Sequence, residues 1–312
     1  MRCKIYILVW MLCSLFPTSV FGKKGEGKVV ELTTEQKQQF TYYWYAARQA
    51  ITEERYADAY SLLQFCHALN PNDAQTLTFL GVLYQGVGDE ERAKEAYKRA
   101  YELSPADCWQ HYLEPLKQQY IDQQNWKKAI QTQDEIDTRK GEYDAYSALT
   151  RYRIYAMWNK PKTAIEAIDR YLETDPANVR FLLFRIELAE QTNAKKKELY
   201  ALYERVLEID PYNMAVLNNY AYHLATHGGD LSKAEQMSQI TIRTEPNNPT
   251  CLDTYGWIMH LKGQDDLAQF YLQKALWNAT DEENKAIIQE HIKIVERQKT
   301  APEVLKVERY EK

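Results

Sequence analysis

Prolines recur along this chain at an almost constant interval. Pro71, Pro105, Pro176, Pro211 and Pro246 stand 34 or 35 residues apart, with one gap of double length in which Gly141 takes the missing place. A proline cannot continue a helix, and a glycine ends one at low cost, so breaks at this period cut the chain into units of one size. A unit that short cannot bury its own apolar face. The chain can therefore fold only as a row in which each unit packs on the next.

Between the breaks the pattern is helical. Glycine is scarce while Ala, Leu, Glu, Gln, Lys and Tyr are plentiful, which favours helix over strand. The stretch from Ala74 to Asp107 is the clearest, with Leu80-Gly81, Tyr84, Gly88, Ala93, Tyr97, Ala100 and Pro105. Small residues at Gly81, Ala93 and Ala100 let two short helices press together, and Gly88-Asp89 turns between them. Leu-Gly-x-x-Tyr, then Ala-x-x-x-Tyr, then Pro within 34 residues resembles the tetratricopeptide repeat. The resemblance runs from about Phe40 to Glu282, in units 40–73, 74–107, 110–143, 145–178, 179–213, 214–248 and 249–282. It implies an all-α, right-handed α-solenoid of seven helix-turn-helix units.

Details refine that expectation. Thr33 and Gln36 form a capping-box pattern that starts the first helix within the leader 23–39. Pro115 is expected to kink or delay the first helix of the third unit. The fifth and sixth units each carry one extra residue, in the sixth at its turn. Thr280-Asp281-Glu282-Glu283 repeats the capping logic and opens a capping helix over 283–299, whose Ile287, Ile288, Ile292, Ile294 and Val295 would close the array. A charged tail, 300–312, follows.

Residues 1–22 read as a cleavable signal peptide: Arg2 and Lys4 precede an apolar run from Ile5 to Phe16, too short to cross a bilayer. The expected address is the periplasm or outside the cell, as the resemblance to exported bacterial tetratricopeptide proteins also implies. The formal charge of −5 becomes −7 without Arg2 and Lys4, and no long basic stretch offers a surface for nucleic acid. No later stretch is apolar enough to span a membrane. Cys66, Cys108 and Cys251 remain in the mature chain. A Cys66–Cys108 bond is sterically open, but all three read as small core residues.

Motifs for chemistry are sparse. His223 and His227 lie four apart, the best metal-binding candidate, yet Gly228-Gly229 follows at once and places His227 in a turn. No phosphate loop and no Gly-x-Ser-x-Gly elbow is present. Asn278-Ala279-Thr280 is a glycosylation pattern whose threonine also fits a helix cap. We therefore expect no catalysis and no cofactor.

What the family resemblance implies is a concave groove, lined by the fifth and ninth positions of each first helix, that holds a peptide or helix of a partner protein. Those positions include Trp44, Arg48, Leu149, Arg153, Phe184, Asn218, Tyr222 and Trp257. Glu114, Gln118 and Asp253 belong to the same rows. The expected function is a protein-interaction scaffold. The competing readings are a holdase or assembly chaperone and, less favoured, a metal-dependent enzyme using His223 and His227.

Overall fold

The computed structural model describes residues 31–300. The signal segment, the leader up to residue 30 and the tail from residue 301 lie outside the described residues. Within them there are fifteen α-helices and no strand. They come in successive pairs: α1 (Thr34–Thr52) and α2 (Tyr56–Leu69), α3 (Ala74–Gly86) and α4 (Glu90–Leu103), α5 (Pro105–Asp122) and α6 (Trp126–Lys140), α7 (Ala145–Met157) and α8 (Pro161–Thr174). Then follow α9 (Val179–Gln191) and α10 (Lys196–Ile209), α11 (Met214–Thr226) and α12 (Leu231–Thr244), and α13 (Pro249–Leu261) and α14 (Asp265–Asn278). A single helix, α15 (Glu282–Thr300), ends the series. The chain is an all-α solenoid in build.

Local chemistry sets where each helix begins. At α1 the backbone N–H of Gln36 donates to Thr33 Oγ1 (3.2 Å) and that of Thr33 to Gln36 Oε1 (2.9 Å), the reciprocal pair the sequence suggests. Asn178, Asn213 and Asn248 cap α9, α11 and α13, each accepting from a first-turn backbone N–H. Each of these asparagines also donates from Nδ2 to the acid three residues earlier, Asp175, Asp210 or Glu245. At α15 the cap is Asp281, which accepts from the Asn284 N–H at 2.8 Å, so Thr280 is not needed for it.

The turn inside each pair follows one design. Glu54, Gly88, Gln124, Asn159, Asn193, Gly228 and Gly263 all have φ between 50° and 82°. The next residue's N–H then bonds the carbonyl five residues back, from Arg55 to Ala50 through Gln264 to Met259. This left-handed closure satisfies carbonyls at the end of the first helix and reverses the chain. Four of the seven residues are not glycine.

Two expectations change. The third pair begins at Pro105, which occupies the first turn of α5 where its missing N–H costs nothing, and α5 continues unbroken through Pro115. The helix therefore starts earlier than 110. The extra residue of the fifth pair lies in the turn, as the sequence already places that of the sixth; both turns take four residues, 192–195 and 227–230, where α3–α4 and α13–α14 use three. The helices keep their lengths, so the insertion does not shift their faces.

The chain forms two compact units, divided between Lys160 and Pro161. In the first unit, each helix packs on the next in order and α3 also lies against α5. Its core holds Ala47, Ala50, Ala59, Leu63, Leu80 and Ala93, with Tyr97 wedged against Gly81, where a Cβ would come within 2.5 Å of the ring. Lys117 is buried, yet satisfied by Glu114 (2.6 Å), Gln133 (2.8 Å) and the Tyr146 hydroxyl (3.3 Å). In the second unit, α11 packs on α13 and α13 on α15, besides the contacts between sequential helices. Ile288, Ile292 and Val295 of α15 are buried, while Gln289, Glu290, Lys293 and Glu296 on its other side are exposed. The three cysteines are free thiols in the core, with no disulfide among them.

Candidate functional site

First helices of successive pairs present the same positions to their neighbours, so each helix contributes one or two side chains to a row. In the first unit, Trp44 is half-buried and sits edge-on against Phe79 of α3, with ring centroids 5.1 Å apart. Arg48, one turn on, is also half-buried. Glu114 is engaged: its carboxylate accepts from Lys117 and, at 2.9 Å, from the Tyr146 hydroxyl of α7. Leu149 is half-buried and Arg153 exposed. The row thus alternates a packed ring, a tied carboxylate and an open guanidinium.

In the second unit the placement of Phe184 needs correction. With the extra residue in the turn and the caps Asn178, Asn213 and Asn248 in register, the equivalents of Asn218 and Tyr222 in α9 are Leu183 and Glu187. Phe184 stands one residue further round the helix. Its ring meets Phe181 edge-on at 6.0 Å, and the Arg180 guanidinium lies 5.7 Å from its centroid.

The densest part of the row joins α11, α13 and α15. Asn218 is buried, and its Oδ1 has no hydrogen-bond partner. Tyr222 is 38% exposed. Partial burial, and then the charge of Asp253, raise the pKa of its hydroxyl above the ordinary tyrosine value. Asp253 itself is buried and pairs with His291 of α15, whose Nδ1 lies 2.9 Å from Oδ1 and 3.1 Å from Oδ2. Trp257 is stacked on the His291 ring at 4.3 Å and tilted against His260 at 5.1 Å. His260 in turn holds Asp265 at 2.7 Å. Tyr222, Asp253, Trp257 and His291 therefore form one connected polar and aromatic patch.

In the sequence His291 stands as an isolated histidine. The signal that finds it is the period: 34 residues beyond Trp257, it continues the ninth-position row into α15. Lys117 carried no comparable signal, because its burial depends on Gln133 and Tyr146 from two other helices.

His223 and His227 come together as a stacked pair, 3.9 Å between centroids and 6° between planes. His227 caps α11, and its Nδ1 lies 3.1 Å from the His223 carbonyl oxygen and 2.9 Å from Thr226 Oγ1. Burial, then His227 and Lys196, lower the pKa of His223. No third histidine, cysteine or acid joins them to make a metal-binding group among the described residues. Among those residues, too, no helix is long and apolar enough to cross a membrane.

Residues 74–107 match the family model of the tetratricopeptide repeat. A curated relative, the TPR repeat-containing protein PA4667 of Pseudomonas aeruginosa, is 27% identical over 159 residues, which make up 50% of this chain and 26% of that protein. The match thus spans about a quarter of that relative's length. Among solved structures, a tetratricopeptide repeat protein from Parabacteroides merdae is 17% identical with a TM-score of 0.42, covering 83% of this chain and 99% of that one. YrrB, described as a TPR protein with an unusual peptide-binding site, is 15% identical with a TM-score of 0.41, covering 73% of this chain and 97% of that one.

Proposed function

From the premise that this chain is built of tetratricopeptide repeats, we propose that it is a non-catalytic scaffold that binds another protein through exposed side chains of its first helices. Proteins of this family generally act as protein-interaction scaffolds. The observation that carries the reading is the patch of Tyr222, Asp253, Trp257 and His291. It sets an exposed tyrosine, a carboxylate–imidazole pair and a stacked indole side by side across three helices. Its accessible part, the Tyr222 hydroxyl and the half-buried Trp257 ring, offers a hydrogen-bonding group and aromatic faces of the kind that anchor protein interfaces, while the buried Asp253–His291 pair holds the indole in place.

The side chains to test are those whose removal leaves the core intact. Tyr222 and Arg153 are exposed, whereas Trp44 and Phe184 pack on Phe79 and Phe181. A tagged chain carrying Tyr222→Ala in the second unit, and separately one carrying Arg153→Glu in the first, is compared with the parent by crosslinking capture in its own cells, and the captured partner's binding is then measured by calorimetry. We expect a single saturable partner whose affinity falls by about tenfold or more in at least one variant, with the helical spectrum unchanged. Equal binding by all three chains would remove the row from the reading. Weak binding to many unfolded clients would favour a holdase instead.

The same reading takes the protein to be exported, with the periplasm as first address. Its support is the apolar run from Ile5 to Phe16 behind Arg2 and Lys4. Fractionation with N-terminal sequencing tests it: a mature chain beginning near Lys23 in the periplasmic fraction is the expected result, and an intact Met1 in the cytoplasm would reverse it.

A further inference from the structure

Each compact unit carries a crevice at the same place in its repeats, bounded by the second helix of one pair and both helices of the next. In the first unit these are α2, α3 and α4, and in the second α12, α13 and α14, which have the same lengths and the same three-residue turn. Positions therefore correspond one to one. Gln64, Pro71, Leu77 and Arg99 of the first crevice match Gln239, Pro246, Leu252 and Lys274 of the second.

The two crevices differ in charge. Every lysine and arginine lining the first is held by an acid: Arg99 meets Glu102 at 3.3 Å, Lys98 the same carboxylate at 4.0 Å, and Arg92 donates to Asp89 at 2.6 Å. In the second, Lys274 stands at the place of Arg99, but Trp277 replaces Glu102, and Arg243 is added where the first unit has Ala68. The Lys274 ammonium and the Arg243 guanidinium have no hydrogen bond or ion pair among the described residues. Nor has the hydroxyl of Tyr271, which lines the crevice beside them. The neighbouring acids are engaged elsewhere: Glu235 pairs with Lys262, and Glu245 accepts from Asn248 Nδ2 at 2.6 Å. Two unpaired cations in a hollow of about 290 Å³, with buried Leu252 and Tyr255 in its wall, attract an anion.

We propose that this second-unit crevice binds the phosphate group of a small soluble phosphomonoester. The charge selects the class. Such a phosphate carries about −1.5 to −2 near neutral pH, which matches two free cations, whereas a carboxylate brings a single charge. Arginine's planar fork suits bidentate contact with phosphate oxygens, lysine adds a point charge, and the Tyr271 hydroxyl adds a donor. The volume lies at the low end of small-molecule pockets, enough for the head of such a ligand. Phe270, Lys274 and Trp277, spaced i, i+4 and i+7, share one stripe of α14. The two rings are 62% and 89% exposed, and Phe270 meets Tyr271 edge-on at 5.2 Å. Aromatic faces beside the cations select a phosphate carried on an apolar or aromatic body. None of these side chains belongs to the first-helix row, so the site is independent of the scaffold reading.

Calorimetric titration of the full chain as recovered from cells, with phenyl phosphate as the probe, tests the proposal. The expected result is one saturable site with a dissociation constant on the order of 100 μM, and weaker binding of inorganic phosphate, which lacks the ring. Benzoate, with the same ring and a single charge, should bind about tenfold more weakly than phenyl phosphate. Arg243→Ala and Lys274→Ala should each weaken phenyl phosphate about tenfold with the melting temperature unchanged, since neither side chain bonds to the fold. Trp277→Ala should weaken phenyl phosphate about threefold and leave inorganic phosphate as it was. Arg99→Ala, in the first crevice, is the control and should change nothing. No saturation up to about 10 mM overturns the proposal. So does full binding by the Arg243→Ala, Lys274→Ala double variant, or an equal loss on Arg99→Ala. Equal affinity for benzoate overturns the phosphate class, and unchanged binding of phenyl phosphate by Trp277→Ala overturns the aromatic body. Binding to phosphatidylcholine vesicles that contain phosphatidic acid, with none to phenyl phosphate, overturns the soluble ligand in favour of a lipid headgroup.

Discussion

At the scale of single residues, burial in the core holds several weak acids in their neutral form. Cys66 is wholly buried, and burial pushes its thiol up to about 12 from an ordinary 9.0. Tyr97 and Tyr203 are raised in the same direction, again chiefly by burial, while their hydroxyls donate to Gln85 and Glu190. An acid whose pKa is higher folded than unfolded holds its proton more tightly in the native state. Its stabilisation is complete below the unfolded pKa and is lost as pH rises toward the folded one. We expect stability to be flat to about pH 8.5 and then to fall, with Cys66 alone contributing a slope of about 1.4 kcal/mol per pH unit. Urea midpoints measured on both sides of that pH check this, and Cys66→Ala should flatten the slope. The same thiols should resist alkylation until the chain unfolds. That the cysteines were core residues was legible in their helical spacing. The burial of Lys117 was not, since it depends on which helices meet across repeats.

At the scale of the element, seven turns share one backbone form while their residue at positive φ varies. Glycine adopts that form freely, whereas Gln124 at φ 54° and Glu54 at φ 58° carry the Cβ penalty of the left-handed region. Gln124→Gly is expected to raise stability by about 0.5–1 kcal/mol, and Gly88→Ala to lower it by about 1 kcal/mol. Chemical denaturation of the two variants beside the parent decides the sign of each. A loss on Gln124→Gly would mean that the side chain contributes more than its strain costs. The start of α1 was legible because the Thr33–Gln36 capping box declares itself. Two features were hidden by local ambiguity. Pro105 reads equally well as the end of one helix or the first turn of the next, and the period alone did not say that the fifth pair's extra residue falls in its turn. The second ambiguity displaced Phe184 by one position.

For the molecule as a whole, the final helix carries the most consequence. Ile288, Ile292 and Val295 bury themselves on α13 and α14, and His291 satisfies the otherwise isolated carboxylate of Asp253. Deleting 281–312 should cost about 4 kcal/mol or more from the apolar burial alone, and also leave a buried charge without its partner. Thermal unfolding and size-exclusion behaviour of the truncated chain measure this; a truncation as stable and soluble as the parent would mean that the terminal face needs no lid. The need for a lid was readable from repeat logic. The division at Lys160 and Pro161 was not, because the repeat period runs through it and the turn at Asn159 is built like the others. A lid with polar side chains outward also constrains how such a gene can lengthen. A duplicated segment of one repeat is accommodated ahead of Glu282, where it meets a matching surface on both sides, but not after Thr300. The number of repeats is therefore open to change by internal duplication, while the position of the stop is inherited with α15.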